Sequence, residues 1–443
     1  MDSSYSLHHS SNSIIREVFR YIHRFKNKVF VLKIDDDLID TPLFSLLVKD
    51  IVLIQKMGIK TILVPGTKNS IDQVLNAYGT HTDSHEDVRI TTEEAMPLVK
   101  LGASNVSNFL LTLLSENGAH GVLGNWVRAR ELGVINGLDY LCTGKVESIS
   151  IDVINNLMED DLIPIISNIG WSAVGKSYNI SSSELAVSLA TSIRATKLFF
   201  IGRHKGIPAV PDCQLGDVYL RDCGVFSTLN LNQGELLLKY HEKDLGRVNA
   251  EFVRHAINAC SAGVARVHFI DGSQEGILLQ EIFSTTGHGT MFHTNIYANI
   301  RKGRSEDIAE ILQIMQAYVD KDILIPRTTQ EISGKLENLY VYEIDDGVHG
   351  CCTLTLHSES MAELEALVVD DHYCGRGIGK KLVSFVLETA KQKNLKQAFV
   401  LTTQSSDFFM NLGFRIASKD ILPEAKKRVY NKNRNSKILI KDI

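Results

Sequence analysis

Between Met361 and Leu387 the chain reads MAELEALVVDDHYCGRGIGKKLVSFVL. Glu363 to Val369 has the make-up of a strand, with the carboxylates Glu363 and Glu365 alternating to one face. Gly375, Gly377 and Gly379 follow, and then Leu382, Val383, Val386 and Leu387 recur at helical spacing. A strand feeding a glycine loop at a helix N-terminus suits the holding of an anion. Backbone N–H groups there lack an intrahelical acceptor, the helix dipole adds partial positive charge, and glycine lets a phosphate lie against the main chain. Arg376, Lys380 and Lys381 can add charge nearby.

The elements that must carry this loop form a compact α+β module. Ile300-Arg301 starts a strand, and Ser305 is expected to cap a helix bearing Ile308, Ile311, Leu312 and Met315, with Glu306 and Asp307 in its first turn. Tyr340 to Ile344, Asp345-Asp346-Gly347 and Val348 to Leu356 read as a hairpin. Ala398 to Thr402 is another strand, a short helix ends at Asn411-Leu412-Gly413-Phe414, and Lys437 to Ile440 closes the module.

Upstream, the pattern differs. Val29 to Ile34, Thr61 to Pro65, Leu162 to Ser167, Lys197 to Gly202 and Val264 to Ile270 read as buried strands. Leu43 to Met57, Ile151 to Met158, Ser182 to Ile193 and Leu245 to Ala262 read as the helices between them, which implies a largely parallel α/β sheet. The expected organisation is a frayed tail over 1–12, an α/β domain over 13–293, a linker over 294–299 and the α+β domain over 300–443. Ser13 to Phe25 is an amphipathic helix in need of a surface.

At 443 residues, with 44% apolar and 22% charged, the chain is globular and too long for one ordinary domain. A formal charge of -5 gives no electrostatic case for nucleic acid or an anionic membrane, and no apolar run reaches the length of a membrane span. The basic run Lys426-Lys427-Arg428 reads as a solvated helix face. Seven cysteines without CxxC spacing argue against disulfides or a zinc site, and so for a reducing, cytoplasmic setting with no metal. His81 and His85, among glycine, threonine and serine, read as a surface turn.

Cys374-Gly375-Arg376-Gly377-Ile378-Gly379, after a Val-Val-Asp strand end, resembles the Arg/Gln-x-x-Gly-x-Gly/Ala motif of the GCN5-related acetyltransferases, whose loop grips the pyrophosphate of acetyl-CoA. Cys374 departs from the usual Arg or Gln. FVLTTQSSDFFMNLGF (Phe399 to Phe414) and ILPEAKKRVYNKNRNSKILI (Ile421 to Ile440) resemble the C-terminal part of the bacterial N-acetylglutamate synthase family. That resemblance implies transfer of acetyl from acetyl-CoA to the α-amino group of L-glutamate, the first step of arginine biosynthesis, by an enzyme that forms hexamers. It also implies roles. Glu363 is the expected general base, with Glu365 its rival. Leu367 or Val368 offers an N–H to the oxyanion, and Thr402, with Tyr430 as alternative, gives a proton or a hydrogen bond to the leaving thiolate of CoA. Arg327, Arg434 and Ser436 bind the substrate's carboxylates, and Ile325 and Ala366 shape its pocket. Backbone of Leu367, Val368 and Val369 pairs with pantetheine, while Gly375, Arg376, Gly377, Ile378, Gly379 and Lys380 hold the pyrophosphate.

The upstream half resembles the amino-acid kinase family through LDYLCTGKVESIS (Leu138 to Ser150), IPIISNIGWSAVGKSYNISSSELA (Ile163 to Ala186) and RATKLFFIG (Arg194 to Gly202). Its departures imply lost phosphoryl transfer. Lys33 is followed by Ile34-Asp35-Asp36-Asp37 in place of a glycine loop, and each carboxylate facing a phosphate at ~4 Å would cost on the order of 4 kcal/mol. The second turn, Pro65-Gly66-Thr67-Lys68, has one glycine, Ser183 replaces the family's aspartate, and Lys197 alone matches a phosphate-contacting lysine. A Mg²⁺-binding aspartate cluster is the sharper alternative. HFIDGSQEGILLQEIFSTTGHGTMF (His268 to Phe292) resembles the arginine-binding signature of arginine-inhibited relatives. It implies an effector pocket for L-arginine formed by His268, Glu281 and Gly287, with the N-terminal helix and Tyr21 as a lid. Rival readings are an amino-acid kinase with an appended acetyl-CoA sensor, a catalytically weak arginine-binding protein, and an acetyltransferase for another acidic amino acid.

Overall fold

VFVLKI, KTILVP and KLFFIG carry apolar residues at nearly every position, so neither face of these strands can be left to water. In the computed structural model they lie in one eight-stranded sheet. Its order is Thr228–Asn230, Thr290–His293, Arg266–Asp271, Lys197–Gly202, Val29–Ile34, Lys60–Pro65, Ile163–Ile165 and Gly121–Leu123. All neighbours are parallel except Arg266–Asp271 with Thr290–His293. The structure describes residues 21–443 apart from 212, 214, 216, 217, 219, 222, 284–286, 295–297, 345, 346, 376 and 431–433. Most of the expected helix over 13–25, the turn Asp345-Asp346 and Arg376 therefore lie outside the described residues.

Helices cover both faces of the sheet. Leu185, Ala186 and Leu189 of Ser182–Ser192 pack with Val31 and Phe200, while Phe44, Leu47 and Ile51 of Pro42–Lys56 pack with Leu32, Ile34 and Phe199. Four short strands, Val127–Glu131, Thr143–Ile149, Ile169–Trp171 and Ser177–Ile180, close into a small barrel that sequence patterning did not suggest. Leu231–Ser261 is two helices joined across a kink at His241 and Gly246: the second follows Gly246, close to the expected start at Leu245, and a further helix precedes it from Leu231, behind an Asn230/Gln233 capping box. That further helix is too polar to announce itself by periodicity. No helix among the described residues is long and apolar enough to cross a membrane.

The chain divides into two units, Met1–Asn295 and Ile296–Ile443. The second is a seven-stranded sheet in the order Ala298–Lys302, Leu339–Ile344, Gly347–Leu356, Met361–Val369, Gln397–Thr402, Lys437–Asp442 and Arg415–Ala417. Only Met361–Val369 with Gln397–Thr402 is parallel. Two expectations need correction. Ala298 and Asn299 are not linker but pair with Ile344 and Glu343. Ser305 does not cap the helix Ile308–Asp320; Asp307 reaches back to the Arg304 N–H at 2.7 Å and is gripped by both terminal nitrogens of Arg301 at 2.7 and 2.9 Å.

Gly289 lets the chain pass the neighbouring strand closely, since a Cβ there would fall 1.8 Å from the Phe269 carbonyl oxygen. Gly289→Ala is expected to lower stability by about 1–3 kcal/mol through overpacking, read as a fall in Tm.

Candidate active site

The strand Met361–Val369 is paired on one side along its length and on the other only at its start. Its parallel register with Gln397–Thr402 runs from Met361 opposite Gln397 to Leu364 opposite Val400 and stops there, although both strands continue. On the antiparallel side Thr353 faces Glu365 and Cys351 faces Val368, so three steps of one strand match two of the other. The extra residue is a bulge, and Ala366 adopts φ 55° within it. Beyond the bulge Asp370 N–H donates to His349 O at 2.9 Å. By the alternation of an antiparallel ladder, Val368 then turns its N–H toward Cys351, and Val369 turns its N–H and C=O to the open side. There the Tyr318 hydroxyl donates to Val369 O at 2.6 Å and accepts from Val369 N–H at 3.4 Å. Of the two donors expected for an oxyanion, Val368 is thus turned inward and Leu367 is left.

The glycine loop lies at the end of the same strand. Gly375 and Gly377 adopt φ 80° and 72°, left-handed conformations that a side chain would strain. Gly377 is the N-cap of the helix Ile378–Gln392 and makes no side-chain cap. The Lys381 N–H is the one that bonds back to Gly377 O, at 3.0 Å, so the N–H groups of Ile378, Gly379 and Lys380 have no acceptor within the helix. Lys380 is exposed on this first turn, and Cys374 is exposed with its Sγ 3.9 Å from both Val369 O and Tyr318 Oη. Thr402 ends its strand past the paired stretch and accepts from Ser405 N–H at 2.9 Å. The Tyr430 hydroxyl is committed to Ser436 O at 2.7 Å.

Ala362 and Leu364 face the helix Ile378–Gln392, which leaves Glu363 and Glu365 on the opposite face. Glu363 is 2% exposed, and its Oε2 receives Lys426 Nζ at 2.7 Å and His357 Nε2 at 3.0 Å. Lys426 is therefore no solvated face residue. Glu365 is held by Arg327 Nη2 at 2.5 Å, Lys335 Nζ at 2.6 Å and the Thr355 hydroxyl. Burial alone would raise its carboxyl, but the Lys335 and Thr355 hydrogen bonds and the Arg327 charge hold it at about 2. So pinned, Glu365 is no longer a rival base. Arg327 retains a buried Nε with no hydrogen-bond partner among the described residues. Arg434 donates to Ile323 O and, at 3.4 Å, to Asp322 O, beside Ile325, which is 53% exposed. Lys426, His357, Lys335, Thr355 and Tyr318 had no motif to mark them; lysine, histidine and hydroxyl partners of a buried carboxylate or an open strand edge become visible only when the sheet is assembled.

The effector candidates lie in the first unit. His268 Nδ1 and Glu281 Oε1 are 2.7 Å apart, and both residues are buried. Burial pushes His268 down. It would raise Glu281, yet the His268 hydrogen bond and charge, the His288 N–H at 2.6 Å and the Arg221 charge hold that carboxyl at about 2. The turn Gly287-His288-Gly289 does present carbonyls to a guanidinium, but it is the chain's own: Arg221 donates to Gly287 O at 2.8 Å and Gly289 O at 2.7 Å. Tyr21 packs edge-on to Phe283, with ring centroids 6.4 Å apart.

A cavity of about 840 Å³ opens past the carboxyl ends of Val29–Ile34 and Lys60–Pro65, with Lys33, Asp36, Thr67 and Asn168 in its wall. Asp36 accepts from Asn69 N–H at 2.6 Å, so a carboxylate already occupies the start of the helix Lys68–Ala77. Burial lowers Lys33 to about 8 against the pull of Asp36 and Asp37, and its Nζ is bonded to Asp35. Ser183 stands in the first turn of Ser182–Ser192. Lys197, expected toward a phosphate, is buried with its Nζ 4.6 Å from the Phe25 ring centroid. Among the described residues no three His, Cys, Asp or Glu side chains converge to hold a metal. His85 lies in an exposed two-stranded turn.

An anion-ready helix start beside a bulged strand, in one unit, and a kinase-like parallel sheet, in the other, define an acetyltransferase fused to an amino-acid-kinase fold. The chain matches the Amino acid kinase family over residues 28–212 and the Acetyltransferase (GNAT) domain over residues 335–416. It is 31% identical to the amino-acid acetyltransferase of Actinobacillus pleuropneumoniae serotype 7 over 97% of both chains. It superposes on the crystal structure of N-acetylglutamate synthase from Neisseria gonorrhoeae complexed with coenzyme A and L-arginine with a TM-score of 0.82 and 25% identity, over 97% of this chain and 99% of that one. A second structure of the gonococcal enzyme, complexed with coenzyme A and N-acetyl-glutamate, superposes with a TM-score of 0.60 and 26% identity, over 97% and 98% of the two chains. The chain belongs to the amino-acid acetyltransferase family, the N-acetylglutamate synthases.

Because the Glu365 carboxyl sits at about 2 in the fold against an ordinary 4.5, its contribution to stability is complete above pH 4.5 and is lost as pH falls toward 2. Glu365→Gln is expected to cost about 2–3 kcal/mol at pH 7, a gap that closes as pH falls from 4.5 toward 2 in urea denaturation.

Proposed function

We propose that the chain transfers the acetyl group of acetyl-CoA to the α-amino group of L-glutamate, giving N-acetyl-L-glutamate and CoA, with residues 300–443 catalytic and residues 13–293 regulatory. The observation that carries this reading is the bulged strand, open on one side from Glu365 onward, which runs from a buried carboxylate to a glycine-rich helix start.

An ammonium has no lone pair, so it must lose a proton before it can attack the thioester carbonyl. Glu363 takes that proton, directly or through a water, at Oε1, which accepts no hydrogen bond from the described residues. As the C–N bond forms, the carbonyl oxygen gains negative charge, which the Leu367 N–H stabilises. Collapse expels the CoA thiolate, and the Thr402 hydroxyl, whose oxygen already accepts from Ser405, donates to the sulfur. The amide N–H groups of Ile378, Gly379 and Lys380 receive the pyrophosphate, and Val369 exchanges its Tyr318 partner for a pantetheine amide. Arg327 and Arg434, with Ser436, receive the two carboxylates of glutamate; the unpartnered Arg327 Nε supports this role. The gonococcal complexes with coenzyme A, N-acetyl-glutamate and L-arginine support both the substrate and the effector. In the regulatory unit L-arginine would compete with Arg221 for the Gly287 and Gly289 carbonyls beside Glu281 and His268.

Glutamate-dependent CoA release from acetyl-CoA is the expected activity, measured against aspartate, glutamine and no acceptor. Glu363→Gln should lower kcat by about 10²–10⁴-fold, the range for a lost general base. Release with aspartate alone would move the assignment to another acidic amino acid, and none with any acceptor would leave an arginine-binding relic. Tyr318→Phe, which frees the Val369 amide and carbonyl, is expected to lower the KM for acetyl-CoA severalfold in the same assay, at unchanged KM for glutamate.

A further inference from the structure

The two oxygens of the Glu363 carboxylate are treated unequally. Lys426 Nζ and His357 Nε2 both meet Oε2, at 2.7 and 3.0 Å, and nothing among the described residues meets Oε1. The two partners come from separate parts of the sheet's margin. His357 follows the strand Gly347–Leu356, with its backbone N–H on Met361 O at 3.1 Å and its ring 5.4 Å from the Phe399 ring. Lys426 lies on the short helix Glu424–Val429, late in the chain. Their side chains are 14% and 21% exposed, against 3% for the carboxylate they reach.

We infer that Lys426 and His357 are positioning residues for the base: they clamp Glu363 by Oε2, so that Oε1 alone faces the substrate ammonium. This rests on the acetyltransferase reading given above. A carboxylate free to rotate in a nearly dry site would present either oxygen, or bond to its own neighbours. Two donors at one oxygen fix both the rotamer and the lone pair that remains. The other charged groups on this face do not substitute for the clamp. Glu365, two residues along the strand, is neutralised by Arg327 and Lys335, Thr355 is spent on Glu365, and Lys419 lies over the Tyr430 ring at 4.2 Å.

The test joins kinetics to a readout that needs no turnover, both in the full-length protein. Lys426→Met and His357→Phe should each lower kcat about tenfold at unchanged KM for acetyl-CoA, and His357→Asn, which keeps a donor, should recover most of the loss. The side-chain carboxyl ¹³C resonance of Glu363, identified by its loss in Glu363→Gln, should change its chemical shift in Lys426→Met at one fixed neutral pH. An unmoved resonance in Lys426→Met overturns the clamp, as does a His357→Asn variant no better than His357→Phe. Should Lys426→Met fail to fold, Lys426→Gln is read by the same two outcomes. Full activity in Glu363→Gln would sink the base assignment itself, and is distinguishable because the Lys426-dependent change of the resonance would still be seen.

Discussion

A polar group withdrawn from water needs a partner, and leaving it without one costs about 1–3 kcal/mol, more for a charge. In this protein several of the groups singled out as candidate ligand contacts are buried and already partnered by the chain itself. Lys426 and His357 serve Glu363, Arg327 and Lys335 serve Glu365, Tyr318 serves Val369, and Arg221 serves the carbonyls beside Glu281. Asp36 does the same for the helix start that a kinase would turn to phosphate. Ligand binding at these positions would be an exchange of partners rather than the filling of a bare site, and cationic and anionic side chains meet at several of them.

The second unit makes its site by an irregularity in a regular sheet. One extra residue at Ala366 reorients the strand between Glu365 and Val368, and the loss of pairing with Gln397–Thr402 beyond Leu364 exposes the edge that results. Neither feature is supported by the site; each is held by what lies behind it. Leu364 and Val400 are locked into the core under Ile378–Gln392, and Val341, Cys351 and Val368 pack beneath Ile308–Asp320. Rigid packing on both faces is what allows an open edge to persist between them.

Much of this organisation was legible in the sequence. Strands buried on both faces write themselves as apolar runs, and Val29–Ile34 and Lys197–Gly202 fall where the runs place them. Glycines with left-handed φ and a helix start are local, so the glycine loop and the helix after it could be read from a dozen residues. What escaped was non-local. Lys426 looked like any member of a basic run, and its 2.7 Å contact with Glu363 joins residues 63 positions apart. Arg221 sits 66 residues from Gly287, in a stretch with no periodicity. The small barrel was missed because strands such as VRARE and TGKVESI carry one buried face over only a few residues.

Arg221 also bears on evolution. A guanidinium arriving from solution at the Gly287 and Gly289 carbonyls competes with one that is tethered there, present at a high effective concentration. The apparent affinity then scales with the fraction of time the tethered group is away. That fraction is governed by the segment carrying Arg221, fastened by the bonds of Arg221 N–H to Val225 O, Ala209 N–H to Gly224 O, and Ile207 N–H to Thr290 Oγ1. If the proposed effector pocket is real, substitutions in this segment would retune the response to a small molecule while every residue of the pocket stays the same, a dial placed outside the lock.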